Sequence, residues 1–498
     1  MKPKFSPKLE THPVLAVLAI ALILASVAVA LVSCGSNPSM PGSGMGSATV
    51  SVSDPPSCAA PSGDFSHVYI TIRSVQAHIS ATADDNSSGW QELAPQVVSQ
   101  PVQVDLLNLP VNGACLLAQL GSTSSLPVGD YQQIRLLLLA NAAPSSPAPA
   151  TNACAKLGQV FNCVVDKNNN FSTLDLSSQA NTGLKVPPGQ IAGGPIRVLA
   201  GQSVDINVDF NTCASLVPLP NGDFRLRPTL TAGQISPNTT GISGQVVDSI
   251  SAQPIAGAIV ALEQADSGNI DRIFMQASTD ANGRFNFCPL PTGAVFDVVV
   301  DAVNSSGVVA YNATVVLNVP GGAALGAVQL VKETGQATGP GILQGFVTAV
   351  NGMTGASIDA AMSAFQAVSL SGGGSRSITV PLEQTSSQKS TPLLAVQSSS
   401  SCPGGSPTGA FCAQYTLVVP ASNPNVGTFA SGKITYTAPA SGDVPYTVEA
   451  KATVPLSNNT PICSPSTRST NLDTNSATLK VTPGNTTTVK RLDFSGCT

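Results

Sequence analysis

Apolar and polar side chains alternate with period two along this chain, and no long stretch holds a helical period. Val68-Tyr69-Ile70-Thr71-Ile72-Arg73 puts Val68, Ile70 and Ile72 on one face. Val204-Asp205-Ile206-Asn207-Val208-Asp209-Phe210 repeats the pattern, as does Ala48-Thr49-Val50-Ser51-Val52. Gly, Pro, Asn and Ser separate these short runs, which predicts an all-β chain of sandwich or barrel type. One stretch departs from the pattern. Residues 14–32 carry no charge, follow Lys2, Lys4 and Lys8, and end at Leu31-Val32-Ser33-Cys34.

Two polar, glycine-bearing stretches, residues 233–241 and 333–340, divide the chain beyond that run. The predicted organisation is a leader at 1–33, a Gly/Ser/Pro/Met tether at 34–46, and three serial β-sandwich-type domains at 47–232, 241–332 and 341–498. In the middle segment, Asp280-Ala281-Asn282-Gly283 predicts a hairpin with a type I′ turn, since Asn-Gly tolerates the positive φ that turn requires. Phe285 and Phe287, two apart, are expected to point into the core. In the last segment, Pro483-Gly484-Asn485 turns into a final strand ending at Phe494. Asp209-Phe210-Asn211-Thr212-Cys213 and Asp493-Phe494-Ser495-Gly496-Cys497 share a spacing, as a repeat remnant or by coincidence.

The order at the N-terminus, basic then apolar then small, reads as a secretory signal. Leu31-Val32-Ser33-Cys34 resembles the lipobox of bacterial lipoproteins. That resemblance implies cleavage between Ser33 and Cys34 and acylation of Cys34; two or three acyl chains hold a protein to a bilayer where one does so only marginally. Gly35 in place of an aspartate resembles outer-membrane cargo. The competing reading is an uncleaved transmembrane helix, for which the run is just long enough at ~20 residues, but no cationic stop-transfer flank succeeds it. Either way the bulk of the chain is placed outside the cytoplasm.

Composition narrows the function. Charged residues make up 10% against a usual ~25%, and the formal net charge of −5 offers no basic footprint for nucleic acid. Apart from Cys34 there are ten cysteines, Cys58, Cys115, Cys154, Cys163, Cys213, Cys288, Cys402, Cys412, Cys463 and Cys497. An even number in an exported chain predicts five disulfides. Two pairs are local, Cys154 with Cys163 and Cys402 with Cys412; the remaining pairing stays open. No metal or cofactor site is expected, since no CxxC occurs and His12, His67 and His78 lie far from any cysteine cluster.

Family resemblance adds detail. Trp90, Asp105-Leu106-Leu107, Gly129-Asp130-Tyr131-Gln132-Gln133-Ile134-Arg135-Leu136, Gly183-Leu184-Lys185, Asp209-Phe210 and Leu226-Arg227-Pro228 resemble the bacterial lipoprotein family known as domain of unknown function 4382, over 47–232. The resemblance implies a β fold and an envelope location. The Ile242 strand, Pro254 to Leu262, the Asn282-Gly283 turn and Phe296-Asp297-Val298-Val299-Val300 resemble the carboxypeptidase regulatory-like domain, a transthyretin-like sandwich. Some relatives of that sandwich carry a lysine isopeptide cross-link. Here the only lysine is Lys332, at the end of the segment, and no such bond is expected. An immunoglobulin-like sandwich is the default for 341–498.

Nothing assembles into catalytic apparatus. Both histidines of the mature chain, His67 and His78, fall on one strand region, and no Gly-x-Ser-x-Gly elbow has a histidine downstream. Asp205, Asn207 and Asp209 share a strand face but stand ~6.5–7 Å apart, too spread for one calcium site; a cross-strand charge ladder with Arg225 and Arg227 is the simpler expectation. Trp90 reads as a core or edge anchor. The expected function is that of a non-enzymatic, lipid-anchored envelope protein with a binding or scaffolding role, probed against two alternatives: glycan capture, and service as an accessory subunit of an envelope complex. Its expected partners are the membrane, through the N-terminal lipid, and a glycan or envelope protein.

Overall fold

The structure is a computed structural model. It describes residues 44–55, 58, 63–112, 115–142, 147–176, 182–236, 241–291, 293–302, 310–333, 339–370, 373–382, 390–455 and 463–498. Ser33 and Cys34 lie outside them, as does most of the tether. Among the described residues, strands dominate; the one α-helix, Pro95–Ser99, has five residues. No helix among them is long and apolar enough to cross a membrane.

Three hydrophobic cores follow the chain in order, one spanning Ala48 to Ala232, one Ile242 to Leu330 and one Leu343 to Cys497. Each is closed in the same way. Its opening strand pairs parallel with a strand from near its end: Met45–Ser53 with Ser203–Phe210, Ile242–Asp248 with Ala324–Leu330, and Gly341–Asn351 with Leu492–Phe494. The Asp-Phe-x-x-Cys echo marks this closure twice. Ser53 Oγ donates to Asp209 Oδ1 at 2.6 Å, and Thr348 Oγ1 donates to Asp493 Oδ1 at 2.6 Å. Phe210 and Phe494 are fully buried, and the cysteines after them bond back to Cys58 and Cys463. The charge states diverge. Burial pushes Asp209 well above the usual carboxylate range. Against the cost of its own burial, Arg491 and Thr348 hold Asp493 below it.

The cores are not independent beads. Residues 45–498 form one compact unit. The middle sheet is extended at both edges by strands of the third segment: Ile270–Ser278 pairs parallel with Ser375–Thr379, and Thr314–Pro320 pairs parallel with Asn425–Ala430. Those pairings satisfy backbone groups that an open edge would expose. They also bury the second face of the sheet, where Val299, Val315, Leu317, Val368 and Ile378 form a small core of their own. The continuous apolar runs Val298-Val299-Val300 and Val315-Val316-Leu317 carry that information, because a strand buried on both faces loses its alternation. The first segment is tied in by the Cys115–Cys288 disulfide.

Two local expectations change. The turn at Asp280 is not type I′. Gly283 has φ 70° and Asn282 does not have a positive φ. Gly283 N–H donates to the Asp280 carbonyl, and Asp280 Oδ1 accepts from the N–H groups of Asn282 and Arg284. The aspartate side chain caps the turn, so only the glycine needs the left-handed region. The strand after it, Arg284–Phe287, then leaves its predecessor and pairs with Ile242–Asp248. Phe285 and Phe287 are both buried, as the spacing implied.

Gly345 sits opposite Tyr415, which is fully buried. A Cβ there would lie 2.5 Å from Tyr415 Oη and 2.8 Å from Cζ. Gly345→Ala is therefore expected to cost about 1–3 kcal/mol in urea unfolding. Gly189→Ala, which meets nothing within 4 Å, should be neutral or slightly stabilising.

Candidate functional site

All three segments meet at a cleft of about 1030 Å³. Its floor is the third segment's sheet, where Ile358–Ser369 pairs antiparallel with Val444–Thr453 in the register Asp359↔Thr453, Ala361↔Lys451 and Ser363↔Glu449. These alternate residues point to one side, into the cleft. Ala361 and Ser363 are small, which leaves room above the floor. Arg225 and Arg227 reach in from the first segment, and Arg272, Phe274 and Gln276 from the middle one.

Ion pairs hold the walls together. Arg225 Nη1 donates to Asp359 Oδ1 at 2.8 Å, and its Nε to Asp175 Oδ2 at 3.3 Å. Arg272 donates to Glu449 Oε1 at 2.5 Å and to Asp266 Oδ2 at 2.9 Å. Burial pushes Asp359 up, opposed by Arg225 and Arg227. Arg227 differs from these: its Nε donates to Thr453 Oγ1 at 2.9 Å and its Nη2 to the Lys451 carbonyl at 3.4 Å, both neutral acceptors.

Behind the cleft, the seam between the middle and third segments buries three carboxylates, Glu263, Asp271 and Asp297. Arg376 is the cation against them: its Nη1 bonds Asp297, and its Nε lies 3.6 Å from Asp271 Oδ1. The Thr379 N–H donates to Glu263 Oε2 at 3.1 Å. Burial, then the neighbouring Asp297, pushes Asp271 up to about 7. Burial likewise pushes Glu263 well above the carboxylate range. No motif pointed to this group. The only signal was an acid interrupting each of three apolar strands.

The residues singled out from the sequence fall elsewhere. His67 and His78 do share one strand, Phe65–His78. His67 Nδ1 lies 2.6 Å from Asp105 Oδ2. His78 Nδ1 accepts the Ser80 N–H at 2.8 Å, so its Nε2 carries the proton donated to the Ser88 carbonyl at 2.9 Å. Trp90 is an edge anchor, half-buried, with the Arg135 guanidinium 4.0 Å from its ring centroid and its indole N–H on the Asp84 carbonyl. The expected charge ladder does not form. Phe224–Leu226 pairs with Leu216–Pro218 and Phe171–Asp175, which sends Arg225 to Asp175 and Asp359. Asn207 and Asp209 instead turn inward to Ser51 and Ser53. Lys332 lies 3.0 Å from Asp248 Oδ2 as an ion pair.

The ten cysteines form five disulfides: Cys58–Cys213, Cys115–Cys288, Cys154–Cys163, Cys402–Cys412 and Cys463–Cys497. Both local pairs are among them; the three long-range ones only the fold could assign.

The strand pairing and the disulfides define an all-β, multi-domain protein of oxidising compartments. Residues 45–228 match the family model described as domain of unknown function (DUF4382), and residues 241–330 match that of the carboxypeptidase regulatory-like domain. No curated protein matches the chain. Among solved structures it is similar to the minor pilin of Streptococcus agalactiae, at 11% identity over 52% of this chain and 97% of that one, with a TM-score of 0.17. The shaft pilin of Lactobacillus rhamnosus GG is similar at 11% identity over 52% and 99%, with a TM-score of 0.15. A DUF3823 family protein from Bacteroides uniformis is similar at 13% identity over 47% and 96%, with a TM-score of 0.13.

Proposed function

We propose that this chain is a non-enzymatic lipoprotein of the bacterial cell envelope, cut before Cys34, lipidated there, and held at the outer membrane with residues 45–498 displayed outside the cytoplasm as a binding scaffold. The observation that carries this reading is the cysteine count. Every cysteine but the lipobox one is paired in a disulfide, which fits an oxidising compartment and sets Cys34 apart. A non-enzymatic role is supported by the state of the titratable groups. The carboxylates of the cleft are ion-paired to arginine, and His78 is committed to two backbone groups. Neither arrangement leaves an acid and base poised across a gap.

Intact mass of the membrane-extracted protein tests the reading. The expected species begins at a triacylated Cys34 and gains about two mass units per bridge on reduction, for five bridges. An uncleaved Met1 with ten free thiols would overturn it.

A second reading, carbohydrate binding, is favoured by the cleft. Its volume is at the top of the ~300–1,000 Å³ range of small-molecule sites, and amide and hydroxyl side chains line it beside the half-buried ring of Phe274.

A further inference from the structure

The cleft inverts the charge of the molecule. The chain carries a formal net charge of −5, yet three carboxylates on the cleft wall, Asp266, Asp359 and Glu449, face five cationic side chains. All three carboxylates are occupied by Arg225 and Arg272, and a third cation, Lys185, pairs with Asp85 outside the wall. Two cations remain. Arg227 hydrogen-bonds only neutral acceptors, and the charge acting on it is that of Asp359, which is already paired with Arg225. Lys451 forms no ion pair among the described residues, although Arg227 Nη2 lies 3.4 Å from its carbonyl oxygen. Burial, then Arg227 and Arg272, lowers the Lys451 pKa. Both cations line one cleft, and the carboxylates acting on them are already paired with other arginines, so an added anion there would be favoured.

The surroundings specify the anion. One guanidinium and one ammonium in the same cleft suit a planar carboxylate. A polyphosphate or a nucleic acid backbone would need a row of cations, whereas the other two arginines here are neutralised. The same cleft is lined by Gln264, Gln276 and Ser363, groups that bond hydroxyls, and by the small Ala361. Phe274, at a bulge of its strand and with its ring centroid 5.2 Å from that of Phe296, also lines the cleft and is half-exposed, which offers an apolar surface to a sugar ring. We infer that Arg227 and Lys451 bind the carboxylate of an acidic saccharide, with its ring against Phe274 and its hydroxyls on Gln264, Gln276 and Ser363. The inference rests on the carbohydrate-binding reading and goes beyond it by naming the ligand class and the residues that select it.

The test is isothermal titration of the mature, detergent-solubilised protein with trisaccharides of galacturonate, glucuronate and mannuronate, with neutral galactotriose, and with sodium acetate. At least one uronate is expected to bind about tenfold tighter than galactotriose and acetate. Lys451→Met and, independently, Arg227→Gln should each lower uronate affinity about tenfold, to the level of galactotriose. Equal binding of acidic and neutral sugars, unchanged in Lys451→Met, would overturn the acid preference but leave carbohydrate binding standing. Acetate binding as tightly as every uronate would overturn the saccharide assignment. No binding by any trisaccharide would overturn both the inference and the carbohydrate reading.

Discussion

Arg376→Met is expected to cost about 3–5 kcal/mol at pH 8, because it leaves buried carboxylates without their cation. Asp271 and Asp297 are at most 4% exposed, and Arg376 is the ion-pair partner of both. Glu263 adds a third acid beside them, and the cation acting on it is Arg272. The loss should be read by urea unfolding at two pH values. At pH 5 Asp271 can hold a proton, so the variant should lose less; equal losses at pH 5 and pH 8 would contradict this account of the seam. The wild type has a slope of its own. Asp271 is pushed up to about 7 in the folded state, while in the unfolded chain it returns to ~3.9. The native state therefore holds a proton that the unfolded state has released. The stability this contributes is fully present below about pH 4 and is lost as pH rises to about 7. Asp271→Asn, neutral throughout, should remove that share of the slope, while Glu333, also pushed up to about 7 by burial, keeps its own. Asp248 acts in the opposite sense. Backbone N–H donors at Ser251 and Ile250, with Lys332, hold it far below the carboxylate range, so its contribution is present near neutrality and is lost as pH falls below about 4.

Removing Cys58–Cys213 by paired serine substitutions should destabilise the protein by about 5 kcal/mol, against about 3 kcal/mol for Cys154–Cys163. The first bond joins cysteines 155 residues apart and the second only 9 apart. In the chain-entropy account the longer closure takes more freedom from the unfolded state. The Cys115–Cys288 bond crosses the same stretch of chain and already restricts part of it, so about 5 kcal/mol is an upper bound. Denaturant unfolding of each double variant under non-reducing conditions reads the difference. A Cys154–Cys163 variant that loses more than the Cys58–Cys213 one would show that native packing, not loop closure, sets the effect.

Local sequence was enough for the elements and for the composition of the cores. Val68, Ile70 and Ile72 are buried because a strand alternates its side chains, and the two loop-bracketing cysteine pairs follow from short spacing. The Asp-Phe-x-x-Cys spacing was visible too, though not its meaning as the closing strand of a parallel pair. Sequence alone could not place Arg225 and Arg227, because period-two alternation fixes a face and not a neighbour. The strand that carries Arg225 pairs with Phe171–Asp175 rather than with Ser203–Phe210.

The fold class and the even set of cysteines were thus determined by the sequence itself, since burial pattern and composition are local properties. The tertiary structure alone decided the rest: the shared sheet, the long-range disulfides, the acid seam under Arg376, and the cleft where Arg227 and Lys451 meet. Each depends on residues far apart in the chain, such as Arg376 with Asp271 and Arg227 with Thr453. What joins them is edge pairing between segments, whose backbone hydrogen bonds are available to any strand and do not mark in side-chain order which strand is the partner.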